Sequence, residues 1–342
     1  MIPYTRKTLP NGLTVVVNRD RASKLAAVNI LYRVGARNEN PARTGFAHLF
    51  EHLMFRGTRT VENFDLPVQM ASGDNNAFTN NDYTDFYITL PKDNLETALW
   101  LESDRMEGLD ITPAKLEAEK KVVIEEFRQR YLNQPYGDQT MLLRALAYKV
   151  HPYRWAAIGL ATDHIAGATL ADVESFYRAH YRPSNAILSI SADMEEERML
   201  ELAEKWFAPL ADHPSETAAI PQEPMQTQAR RQEVERDVPA STVTVAYHMC
   251  ARTKPDFYTA DLVSDLLSGG DSGRLYTHLV KERNLLSSVN AYITGDVDPG
   301  LFVFTGQLLP GVTPEAAEAA FREEIEALQT TAATAYEIEK VK

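Results

Sequence analysis

Gly45-Phe46-Ala47-His48-Leu49-Phe50-Glu51-His52-Leu53-Met54 holds an H-x-x-E-H pentad, His48 to His52, inside an otherwise apolar run. Helical spacing sets His48 and His52 one turn apart on one face, with Glu51 close beside them. Phe46, Ala47, Leu49, Phe50, Leu53, Met54 and Phe55 leave this helix no polar side, so the spacing predicts a buried helix, entered near Thr44 and closed near Gly57. Two imidazoles and a carboxylate buried without partners would cost several kcal/mol. A metal ion would remove that cost, with two imidazoles as ligands and a carboxylate at hand for acid–base work.

H-x-x-E-H is the inverse of the H-E-x-x-H zinc peptidase motif. Two histidines do not complete a catalytic zinc site, which takes three protein ligands. The other histidines, His151, His164, His180, His213, His248 and His278, lie outside comparable apolar helical runs, and His151 and His180 read as capping or surface residues. Acids on the next long helix are better candidates. Thr112-Pro113 is a helix start, a capping residue followed by proline at the first position. That helix carries Glu119 and Glu126, seven apart and therefore on one face. Spacing alone leaves Glu126 open between metal ligation and an exposed pair with Arg130.

Outward from the pentad, short strands and helices alternate. Thr14 to Asn18 and Ala26 to Val34 read as strands, Asn76 to Leu90 as a further strand region, and Asn185 to Ser191 as another. Helices are expected over 94–106, 116–131, 138–149, 170–180 and 195–207. Residues 208–232 carry Pro209, Pro214, Pro221 and Pro224 among polar residues, a linker composition. A strand from Thr242 to Met249 and a helix from Phe257 to Leu267 follow. They repeat the strand–helix order around the pentad, with Asp261, Ser264 and Asp265 in the corresponding places. Duplication and chance likeness are both open here. The expected domains are 1–210, a linker over 211–232, and 233–342, the last short enough to be incomplete.

With 44% hydrophobic and 24% charged residues, the 342-residue chain has the makeup of a soluble globular protein. Its net charge of -13 argues against nucleic-acid binding. A single cysteine, Cys250, excludes an internal disulfide framework and a multi-cysteine zinc site; it is expected as a buried small hydrophobe. No apolar run reaches the length of a membrane span. The N-terminal residues show no secretory h-region, so the expected compartment is the cytoplasm, or the periplasm if a signal has been removed.

Together these motifs resemble the insulinase/pitrilysin family of zinc peptidases, in particular bacterial members related to mitochondrial processing peptidase. The likeness runs over essentially the whole chain. It rests on Gly45 to Thr58, on Asn75-Asn76-Ala77-Phe78-Thr79, on Glu119 to Glu126, and on Ser272-Gly273-Arg274-Leu275-Tyr276. The resemblance implies an α+β fold: two homologous domains, each a mainly antiparallel sheet with helices on one face. It implies Zn2+ held by His48, His52 and Glu126, Glu51 as general base, and Glu119 as the acid supporting a ligating histidine. Asn76, Ala77 and Thr79 match the edge strand on which family members lay the substrate backbone. Phe78 could line a pocket or serve the core. The implied activity is that of a zinc metalloendopeptidase on peptides or unfolded segments.

One departure stands out. Aligned on Leu279 and Leu285, the chain has Val280 and Ser287 where the family places an arginine and a tyrosine. A homologous subunit supplying those groups is therefore an expected partner, otherwise a homodimer; Arg283 could compensate. The alternative is a non-catalytic core subunit of a larger assembly. A small-molecule metallohydrolase with a cysteine third ligand is a third reading, but Cys250 lies in the wrong half.

Overall fold

The structure, a computed structural model, describes residues 2–213, 215 and 219–342; Pro214 and residues 216–218 of the expected linker lie outside the described residues. The chain divides into two compact units, Met1–Gln134 with Tyr148–Gln226, and Pro135–Ala147 with Thr227–Lys342.

The first unit is built on a sheet of β1 (Thr5–Thr8), β2 (Thr14–Arg19), β3 (Leu25–Tyr32), β4 (Asp74–Thr79), β5 (Thr84–Pro91) and β6 (Ala186–Ala192). The strand order is β1-β2-β6-β3-β5-β4, antiparallel except for β2 beside β6. Alternation makes one face apolar: Ala26, Val28, Ile30 and Tyr32 on β3, Phe86, Ile88 and Leu90 on β5, and Leu188 and Ile190 on β6 are all buried. The unit's helices are α1 (Phe46–Leu53), α2 (Asp65–Met70), α3 (Leu95–Glu107) and α4 (Pro113–Phe127); α6 (Thr162–Ala166), α7 (Leu170–His180) and α8 (Glu196–Phe207) also belong to it. Helix α3 packs on β3 and β5, and α1 on β4, α4 and α7. The strand region expected over 76–90 is a hairpin. Its turn is set by Asn80, whose side-chain oxygen accepts from the N–H groups of Asp82 and Tyr83 at 2.8 and 2.9 Å. Among the described residues strand β4 pairs with β5 only and leaves one edge open.

The second unit has three antiparallel strands, β7 (Thr242–His248), β8 (Leu286–Ile293) and β9 (Leu301–Leu308), in the order β7-β9-β8. Helix α9 (Asp256–Ser268) packs on β8, α10 (Pro314–Thr330) on β7 and β9, and α11 (Ala335–Val341) on α9. Leu267, Leu275, Leu279, Phe304 and Phe321 lie in its core. Helix α5 (Gln139–Ala147), on the first-domain side of the expected boundary, belongs here: Gln139 Nε2 donates to the Thr305 hydroxyl oxygen at 3.3 Å and also to Thr244, on β9 and β7. Chain order could not show this crossing. Cys250 follows the end of β7 and is half-buried, not the buried core residue expected. The fold is α+β, and β7-β9-β8 repeats the order of β3-β5-β4. Among the described residues no helix is long and apolar enough to cross a membrane.

A candidate metal centre on the pentad helix

Helix α1 starts at Gly45, whose φ of 91° lies in the left-handed region. A Cβ there would also meet the Ile158 carbonyl oxygen at 2.6 Å. Gly45 has no side chain to cap the helix, and Glu39 does so from upstream. Its carboxylate accepts from Gly45 N at 2.9 Å and Ala47 N at 2.8 Å, and from Trp155 Nε1 at 3.1 Å. Three N–H donors offset part of the desolvation of this buried acid. Burial is still the larger influence and pushes the Glu39 carboxyl up to about 8. Helix α4 starts as expected, with the Thr112 hydroxyl accepting from Lys115 N at 3.2 Å and Pro113 in the first turn.

These two helices bring His48, His52 and Glu126 together, with one donor atom from each lying within 4.8 Å of the others. His52 Nε2 is 3.4 Å from Glu126 Oε2, and His48 Nε2 is 3.7 Å from Glu126 Oε1. Ligands at zinc distances and a tetrahedral angle stand roughly 3.3–3.5 Å apart, so the donor set fits that ion. His48 Nδ1 is buried without a hydrogen-bond partner among the described residues. The other nitrogen of His52, Nδ1, lies 3.4 Å from Glu119 Oε2, an arrangement that orients a ligating imidazole. Glu119 is 1% exposed and also meets Arg56 Nε at 2.5 Å.

The electrostatics divide the two rings. Burial lowers His48 to about 4. Burial also works against charge on His52, but Glu119 and Glu126 outweigh it and raise that ring to about 9. Glu126 is lowered chiefly by its hydrogen bond with His52. Burial works against charge on Glu119 too, and there the contacts with His52 and Arg56 outweigh it and hold the carboxyl low. A bound cation would replace the proton as the charge these acids face. Glu51, beside the cluster, is raised by burial, with the nearby Thr79 side chain and the His52 ring working the other way. Arg130 Nη1 stands 3.0 Å from Glu126 Oε1, so the exposed pair weighed from spacing coexists with the inward-facing carboxylate.

Strand β4 sets Asn76, Ala77, Phe78 and Thr79 at the open edge, opposite Tyr87, Phe86, Asp85 and Thr84 of β5. Phe78 is 43% exposed with its ring against Tyr83, which removes the core alternative. In the second unit Val280 packs against the core, and Ser287 lies at a bulge in β8 with its hydroxyl 3.1 Å from Gln307 Oε1. Arg283 pairs with Glu323 at 2.6 Å. The sequence alone did not point to Glu39 or Arg56. Glu39 lies too far upstream for a capping box, so only an unexplained acid ahead of an uncapped helix could have pointed to it.

Residues 14–155 match the family model described as Insulinase (Peptidase family M16), and residues 167–342 match Peptidase M16 inactive domain. The zinc protease PqqE of Helicobacter pylori is 33% identical over 341 residues, which cover 98% of this chain and 77% of that protein. A probable mitochondrial-processing peptidase subunit beta of Arabidopsis thaliana is 26% identical over 88% of the chain, which spans 59% of that protein. The crystal structure of a protease from Helicobacter pylori superposes with a TM-score of 0.93 at 32% identity, covering 100% of this chain and 83% of that one. The M16 inactive domain from Pseudomonas fluorescens, at 19% identity, shares the fold with a TM-score of 0.87, covering 99% of this chain and 82% of that one.

Proposed function

The chain belongs to the insulinase family, peptidase family M16, and from that premise we propose that it is a zinc metalloendopeptidase acting on peptides or unfolded segments. The observation that carries this reading is the clustering of His48, His52 and Glu126, with Glu51 on the same helix as the two histidines. Held by His48, His52 and Glu126, zinc would supply Lewis acidity toward the scissile carbonyl and toward water. The Glu51 carboxylate takes a proton from the attacking water and delivers it to the leaving amine nitrogen. Burial raises its pKa and so suits it to holding that proton between the two transfers. Glu119 fixes the His52 ring through Nδ1. The open edge of β4 receives the substrate backbone as an added strand, around Asn76, Ala77 and Thr79, with Phe78 beside a substrate side chain.

Val280 and Ser287 favour a two-part enzyme, in which a homologous subunit lends an arginine and a tyrosine to hold substrate and oxyanion. They also sustain the second reading, a core subunit without activity. Zinc analysis and cleavage of an unstructured peptide, alone and with a pentad-less paralogue, separate the two. Glu51→Gln should keep zinc and lose cleavage by roughly 10²–10⁴-fold. Equal cleavage by the variant would overturn the assignment of Glu51.

A further inference from the structure

The segment Gly35–Glu39 touches both halves of the proposed site. At one end, Ala36 N donates to Asn80 O at 3.1 Å and Arg37 N to Asn81 O at 2.9 Å, at the tip of the β4–β5 hairpin. Arg37 Nη1 pairs with Asp82 Oδ1 at 3.2 Å, and the Tyr153 hydroxyl donates to the same oxygen at 2.6 Å. At the other end, Glu39 caps α1 at Gly45 and Ala47. Trp155 Nε1 lies 3.1 Å from both Ala36 O and Glu39 Oε2, so one indole ties the two ends together. Gly35 permits the approach: a Cβ there would stand 2.5 Å from Asn81 C and Asp82 N and 2.6 Å from Asn80 O, all backbone.

Strand β4 is also held along β5, by packing on α1 and α2, and by Asn75 Nδ2 donating to Asp65 Oδ1 of α2 at 3.2 Å, but it is paired as a strand on one side alone among the described residues. A strand anchored on one side can swing or slide, while a general base must meet its proton within about 2.6–3.2 Å. We propose that Gly35–Glu39 is a brace that registers strand β4 against the pentad helix, so that Arg37 and Glu39 are positioning residues for peptide cleavage. This rests on the peptidase reading for its consequence in turnover, but not for its consequence in hairpin mobility. The brace meets the hairpin turn at Arg37 and the helix at Glu39, so cutting either end has a different signature. Loss at the strand end frees the hairpin and leaves the donors on α1 and α4 in place. Loss at the helix end disturbs His48 as well.

The test compares Arg37→Met, Gly35→Ala and Glu39→Gln with the parent chain, with Tyr153→Phe as the mildest cut should the others fail to fold. Hydrogen exchange is read in the metal-free protein, zinc affinity by competition with a chelator, and kcat and KM with an unstructured peptide. Arg37→Met and Gly35→Ala should speed exchange of the amides of residues 75–83 about tenfold or more, keep zinc affinity within about twofold, and lower kcat/KM about 10–100-fold, since small misplacements cost this much. Glu39→Gln should lower zinc affinity and turnover together. Tyr153→Phe should shift hairpin exchange in the same direction by less. Unchanged hairpin exchange in the strand-end variants, or zinc loss in step with their kcat/KM, would overturn the brace. If the parent chain cleaves nothing, the peptidase reading fails, and hairpin exchange still decides the brace.

Discussion

The two units repeat one pattern, strand–helix–hairpin–helix, in β3-α1-β4-β5-α3 and β7-α9-β8-β9-α10, yet their first helices treat polar side chains in opposite ways. On α1, His48 is 8% exposed, and its partners come from another helix. On α9, the matching places hold Asp261, Ser264 and Asp265. Ser264 is 5% exposed and satisfies its hydroxyl on the Asp261 carbonyl at 2.8 Å, one turn back in its own helix. A local bond of that kind needs nothing from outside, whereas α1 presents two imidazoles to the Glu126 carboxylate across a gap that suits an ion. The shared topology therefore supplies a platform, and the choice of three side chains decides whether the platform needs a cation.

The comparison breaks most sharply through a ligand. His52→Ala should reduce zinc affinity by more than the ~10–100-fold typical of a supporting residue. Asp265→Ala on α9 should leave it unchanged, as read by chelator competition. If both variants, or neither, change zinc affinity, the contrast between the helices is wrong. Glu119→Gln tests the support itself: zinc affinity should fall about 10–100-fold, with the fold intact by circular dichroism.

The smallest effect separates the first unit by its acid sensitivity. Burial lowers His180 to about 4, below its ordinary 6.5. Between those values the unfolded chain takes up a proton that the folded chain refuses. The contribution of His180 is thus complete above about pH 6.5 and is lost as pH falls toward 4. It amounts to something on the order of 1–2 kcal/mol once the partial exposure of the ring is allowed for. Denaturant melts of His180→Gln should show a flatter acid limb than those of the parent.

What the sequence made legible follows from local periodicity. The pentad and the Glu119/Glu126 face rest on helical spacing, which survives any tertiary arrangement. The turn within 76–90 was harder, because Asn80 acts through a side-chain bond that alternation of apolar residues does not report. Glu39 was invisible for a different reason: it reaches α1 across a turn, and its third donor, Trp155, lies 116 residues away. The allegiance of α5 to the second unit is likewise a long-range fact. Cys250 was misjudged because β7 ends at His248, before the cysteine can turn into a sheet face.

Strand β4 begins Asp74-Asn75-Asn76, residue types that are poor strand formers and stand at an open edge. Such an edge is weakly templating, which discourages two copies of the chain from zipping together. On the proposed reading it also selects by foldedness: only a chain already free of its own secondary structure can offer the unpaired backbone groups that β4 lacks. On that reading the open edge separates structured from unstructured polypeptides by whether their backbone groups are free to pair.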